Sequence, residues 1–155
     1  SNEVEDFNNF TAAENLGKRL FVDNCSNCHG GNHVKTNLNT ASNGLDEVYT
    51  DKGIGELTKD NSHDGVFKVP LLRNIELTGP YMHDGRFETL EEVIEHYSSG
   101  IQAHKNLHPL LRENFVEGPK QMNFTAEEKE ALISFLKTLT DTRITSDEKF
   151  SDPFK

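Results

Sequence analysis

Hydrophobic residues recur at helical spacing in three stretches of this chain, and the same polar signal precedes each one. Leu16, Leu20 and Phe21 follow Thr11-Ala12-Ala13-Glu14. Leu90, Val93, Ile94 and Tyr97 follow Thr89 and run at i, i+3, i+4 and i+7. Leu132, Phe135, Leu136 and Leu139 repeat that spacing after Thr125-Ala126-Glu127-Glu128. The stripes predict amphipathic helices, and T-x-x-E is the capping box that starts a helix. Gly17 interrupts the first stripe at a cost of about 1 kcal/mol relative to Ala, which points to close approach of another backbone.

Between these helices the pattern fades. Residues 30–66 are polar and rich in Gly, Asn, Thr and Asp, which reads as a long loop with short helical turns. A loop of that length in a small domain is usually functional, and a cofactor would give its backbone something to pack on. Residues 1–10 read as an extension or linker, residues 11–141 as the domain, and residues 142–155 as an irregular tail. No alternating strand pattern of useful length is present, so the expectation is a small all-α domain.

Composition narrows this further. A chain of 155 residues with 34% hydrophobic and 27% charged residues fits one soluble domain with a lean core. Lean apolar content suggests that something non-protein helps to fill that core. The net charge of −10 argues against nucleic acid, where clustered cations are rewarded. It favours basic protein partners, and it also serves solubility. No apolar run is long enough to span a bilayer and no signal-peptide core is visible. The start at Ser1-Asn2-Glu3 lacks Met, as after loss of a leader or trimming of a longer chain.

Both cysteines lie in Cys25-Ser26-Asn27-Cys28-His29. A structural zinc site needs four ligands, and no second pair at similar spacing is evident. A thioredoxin-type pair needs a preceding strand, whereas a helix precedes this one. A disulfide across two residues would be strained and close a trivial loop. C-x-x-C-H is the signature of covalent haem attachment: two thiols reach the vinyl groups, and the adjacent imidazole falls under the iron. The motif therefore implies one haem c, and attachment outside the cytoplasm implies a periplasmic or otherwise exported protein. A first helix running into this motif, then a loop, then two helices resembles the class I cytochrome c fold. In that fold the terminal helices cross, here at Gly17 and Phe135.

The segment Phe67-Lys-Val-Pro-Leu-Leu-Arg-Asn through Pro80-Tyr-Met-His-Asp-Gly85 to Gly100 is more specific. With Asn43-Gly-Leu-Asp46 and the A-L-I-S-F-L-K-T-L-T stretch, it resembles the C-terminal haem domain of the bacterial dihaem cytochrome c peroxidase and MauG family, over residues 11–141. The resemblance implies an electron-transfer domain that works beside a second, peroxidatic haem domain and a small redox protein donor. It would not act as a peroxidase without that second haem. The alternatives are a free-standing single-haem shuttle, or an enzyme or sensor whose sixth iron site binds peroxide or a gas.

His29 is the proximal ligand on this reading. For the sixth position the resemblance places Tyr97 where the peroxidases carry Met and MauG carries Tyr; a core aromatic would show the same stripe. Met122, ahead of the last helix, is the alternative, and Met82 comes third, with a packing role as its competing reading. A thioether raises the reduction potential, whereas a phenolate favours ferric and higher states. Arg73 is expected on a haem propionate or free in solvent. His83, with Asp84, is expected near the haem edge, or as part of an Asp-Gly turn. Calcium is implied only at a shared interdomain site involving Thr78 and Pro80. His33, His63, His104 and His108 are expected to face solvent.

Overall fold

The structure is a computed structural model that describes residues 5–30, 36–151 and 154. Helix α1 (Ala12–Asn24) opens on a complete capping box between Thr11 and Glu14. It runs almost without a break into α2 (Ser26–His29), a single turn closed by Gly30 in the left-handed region. Residues 5–10, expected as part of an extension or linker, are docked on the domain. The Asn15 side chain accepts from Phe7 N and donates to the carbonyls of Phe7 and Phe10, and Phe10 packs on the core.

The polar stretch after α2 winds through short pieces. A two-residue strand β1 (Thr40–Ala41) pairs antiparallel with β2 (Phe67–Lys68), Thr40 opposite Lys68 and Ala41 opposite Phe67. Between them lie α3 (Ile54–Thr58) and one 3-10 turn at Asn61–His63. Strands this short carry no periodicity for a sequence to display.

Helix α4 (Leu90–Glu95) starts on the Thr89 capping box and passes directly into a π-helical turn at His96–Gly100. Helix α5 (Ala126–Lys137) carries the third capping box, Thr125 with Glu128. The α1 and α5 helices cross as expected. A Cβ on Gly17 would fall inside the Ala131 carbonyl and 2.8 Å from Phe135 Cβ, so only glycine permits this approach. Phe21 and Leu132, each 1% exposed, centre a core shared with Leu90, Ile94, Phe135 and Leu136. A smaller cluster of Ile101, Leu107 and Leu111 sits apart, with Tyr97 and Met122 packed on it. The tail is not wholly irregular, since it holds α6 (Arg143–Ser146) and a 3-10 turn at Glu148–Phe150. No helix among the described residues is long and apolar enough to cross a membrane.

Candidate haem site

Between the two clusters lies a cavity of about 380 Å³ with mostly apolar walls. One wall comes from the end of α1 and from α2. The helical turn sets Cys25, Cys28 and His29 at i, i+3 and i+4, which share one face, and all three line the cavity. The two cysteines form no disulfide with each other. Burial pushes Cys25 up to about 12, reinforced by Cys28 and opposed by Lys120, and burial raises Cys28 as well.

Burial also lowers the pKa of His29, against a smaller opposing effect of the Pro70 carbonyl. Burial thus favours the neutral imidazole. Its Nδ1 lies 3.0 Å from Pro70 O. A neutral ring facing a carbonyl through Nδ1 carries its proton there, which leaves Nε2 as a free donor atom. The β1–β2 pairing and the bond from Val69 N to Asn39 O (3.0 Å) hold the Pro70 segment in place.

Other elements supply Tyr97, Met122 and Met82, all of which line the same cavity. The π-turn decides how two of them meet. Ser98, 1% exposed, accepts Asn123 N at its backbone carbonyl (2.9 Å) and Phe124 N at Oγ (3.0 Å). Those bonds fasten the segment carrying Met122 against the turn carrying Tyr97. Burial raises the Tyr97 phenol to about 12, while a hydrogen bond from the Asn43 side chain acts in the opposite direction.

Asn43 is a junction. Its backbone oxygen faces His96 Nε2 at 3.1 Å, its Oδ1 accepts from Tyr49 Oη at 3.4 Å, and its Nδ2 donates to Met82 Sδ at 3.4 Å. Three residues on, Asp46 takes both guanidinium nitrogens of Arg86 (2.8 and 2.7 Å), and Arg86 Nε donates to Asp84 (2.8 Å). The two motifs, residues 43–46 and 83–86, are thereby locked together. The Arg86 guanidinium holds both carboxyls below the usual carboxylate range.

Other expected residues fall in different places. His83 lines the cavity with an exposed edge, stacked on Phe67 at 3.8 Å and 16°. Thr78 and Pro80 also reach the lining, and no cluster of His, Cys, Asp and Glu fit to hold a metal occurs among the described residues. Arg73 lies outside the cavity, beside Thr138–Arg143 on a separate polar surface, where its charge helps to lower the Asp141 pKa. The turn at Asn74–Leu77 directs it there: Asn74 N bonds Leu139 O and Asn74 Oδ1 accepts Asp141 N. The basic side chain that does reach the cavity lining is Lys68. His104 is not solvent-facing but 5% exposed, T-stacked on Tyr49 with Nδ1 accepting Asn106 N. His108 is half-buried and its Nδ1 accepts Leu110 N. His63 is exposed as expected, and His33 lies outside the described residues. Sequence reasoning passed over Tyr49, His96 and Arg86. For Arg86 a signal existed, a lone cation directly after the His83-Asp84-Gly85 turn with Asp46 in the other motif.

Paired thiols and an imidazole on one helical face, sharing an apolar cavity with phenol and thioether groups, fit a covalently attached haem. The chain belongs to the cytochrome c family, whose sequence profile matches residues 15–140. It is 34% identical over 131 residues to the cytochrome c551 peroxidase of Nitrosomonas europaea, covering 80% of this chain and 33% of that protein. It is 30% identical over 170 residues to the methylamine utilization protein MauG of Paracoccus denitrificans, covering 86% and 44% respectively. Among solved structures, a MauG-like protein associated with microbial copper homeostasis superposes with a TM-score of 0.76 at 34% identity. That match covers 94% of this chain and 52% of the other. The chain thus spans less than half the length of these curated relatives.

Proposed function

We propose that this domain carries one haem, joined through thioether bonds to Cys25 and Cys28, and serves electron transfer within a peroxidase or MauG-type enzyme. The observation that carries the reading is His29: its Nδ1 is committed to Pro70 O and its Nε2 is left for iron, beside two thiols on the same helical turn. When bound, a haem supplies a one-electron ferric–ferrous couple. The chain's own residues do the rest. Cys25 and Cys28 fix the ring's position, the Pro70 carbonyl orients and enriches the imidazole, and the apolar walls exclude water. Tyr97 is the sixth ligand on this reading and Met122 the alternative.

Electron exchange needs an accessible edge. Leu71, Thr78, Pro80 and His83 line the cavity and are exposed, which suits a second haem domain docked against that side. Calcium would enter only where such a domain completed a shared site near Thr78 and Pro80. The net charge of −10 suits a basic redox donor, and haem attachment suits an exported protein.

The test is to produce the protein with cytochrome c maturation machinery, then denature it and extract it with acidified organic solvent. Haem is expected to stay on the wild-type chain and to leave a Cys25→Ser/Cys28→Ser variant. Haem leaving the wild type on extraction would refute the attachment. Stoichiometric electron uptake without peroxide turnover is expected of the domain alone, and peroxide turnover by it would favour an enzyme in its own right.

A further inference from the structure

Three donor side chains, Tyr97, Met122 and Met82, line one cavity, yet an iron takes one of them. Something must decide between them, and one neighbouring side chain already holds one of the three. Asn43 lines the cavity together with Tyr97 and donates from Nδ2 to Met82 Sδ (3.4 Å). It is not free to turn. Its backbone oxygen is engaged by His96 Nε2, the residue next to Tyr97, at 3.1 Å. Its Oδ1 takes the Tyr49 hydroxyl, which in turn accepts Leu45 N at 2.7 Å. Tyr49 and His96 are each 6% exposed, so the frame around Asn43 is buried and directional.

Met82 has the opposite character. Its backbone sits at φ +72°, a region that side-chain-bearing residues seldom adopt, directly before the His83-Asp84-Gly85 turn. The Asp46–Arg86 pair clamps that turn to the Asn43 segment. A thioether held by an amide N–H has one lone pair engaged by that donor and is less free to turn toward an iron. We infer that Asn43 is a positioning residue that biases the choice of the sixth iron ligand by holding the Met82 sulfur aside, which leaves the position to Tyr97. The inference rests on the haem reading above. It assigns to Asn43 the balance between a phenolate, which favours the ferric state, and a soft thioether, which favours the ferrous state.

Asn43→Asp is the sharpest variant, because it keeps the shape, the acceptor for Tyr49 and the backbone carbonyl but removes the N–H donors. The experiment compares near-infrared, EPR and potentiometric data for haem-loaded wild type, Asn43→Asp, Asn43→Asp/Met82→Leu and Tyr97→Phe. Asn43→Asp is expected to gain a thioether-to-iron charge-transfer band absent from wild type and to shift its reduction potential upward. Adding Met82→Leu is expected to remove that band and reverse the shift. An unchanged Asn43→Asp spectrum, or a band that survives Met82→Leu, would overturn the assignment. Tyr97→Phe reads the underlying ligand separately: if it matches wild type, Tyr97 is not the ligand, whatever Asn43 does to Met82. Should Asn43→Asp fail to mature, Asn43→Ser, which lacks the reach to the Met82 sulfur, is read by the same band.

Discussion

The two sides of the cavity are held by different physics. The His29 side rests on the α1–α5 crossing, where Gly17 meets the Ala131 backbone and Phe21 and Leu132 are packed almost out of solvent. The Tyr97 side has the small cluster of Ile101, Leu107 and Leu111 behind it and leans on polar pins: Ser98 to residues 123 and 124, Asn43 to His96, and Asp46 to Arg86. Close packing admits few alternatives and makes a rigid wall. Directional bonds between a π-turn and loops make a wall whose donor atoms can be chosen. A site that anchors a cofactor on one side and tunes it on the other has use for that asymmetry.

The comparison is broken most severely at the crossing. Gly17→Val places a branched side chain inside the Ala131 carbonyl, and a loss of about 3 kcal/mol or more in denaturant unfolding is expected; a neutral result would mean that the two helices do not approach as described. On the polar side the effect is smaller. His96→Leu removes the group that engages the part-buried Asn43 oxygen and should cost about 1–3 kcal/mol in the same assay, while altering the haem spectrum far more than Gly17→Val does per unit of stability lost.

Arg86→Ala is expected to cost only about 1 kcal/mol, since the pair is roughly one-third exposed and screened by solvent. Its signature lies in acid. Asp46 and Asp84 have native pKa values depressed by Arg86, so their contribution is full above the unfolded carboxylate value of about 4. It is lost as pH falls through the lower native values. Urea midpoints measured down that range should fall more steeply for wild type than for the variant. The smallest effect concerns the start of α5. Thr125→Ala should lower stability by about 1 kcal/mol through the lost cap, with no change in the haem spectrum.

The same asymmetry explains what the sequence could disclose. Apolar periodicity and T-x-x-E announce helices, so α1, α4 and α5 begin where Thr11, Thr89 and Thr125 indicate. Gly17 and Phe135 were legible as a crossing because a glycine in an amphipathic stripe has few other uses. The π-turn was not, because its one-residue change of pitch leaves no mark on a short stripe. Arg73 was expected on a propionate or free in solvent; it is exposed and lies outside the cavity lining, where the Asn74 bonds turn its segment toward residues 138–143. His104 was expected in solvent because a polar loop conceals that Tyr49 folds beneath it. Bonds between loops depend on which loops meet, and that is settled by the whole fold.

The most direct test asks which atom faces the iron across from His29. Ferric EPR and optical spectra of haem-loaded wild type should carry a phenolate-to-iron signature that Tyr97→Phe abolishes and Met122→Leu leaves intact. Coincident spectra for wild type and Tyr97→Phe, with the change appearing in Met122→Leu instead, would contradict the assignment of Tyr97 and move the site to Met122.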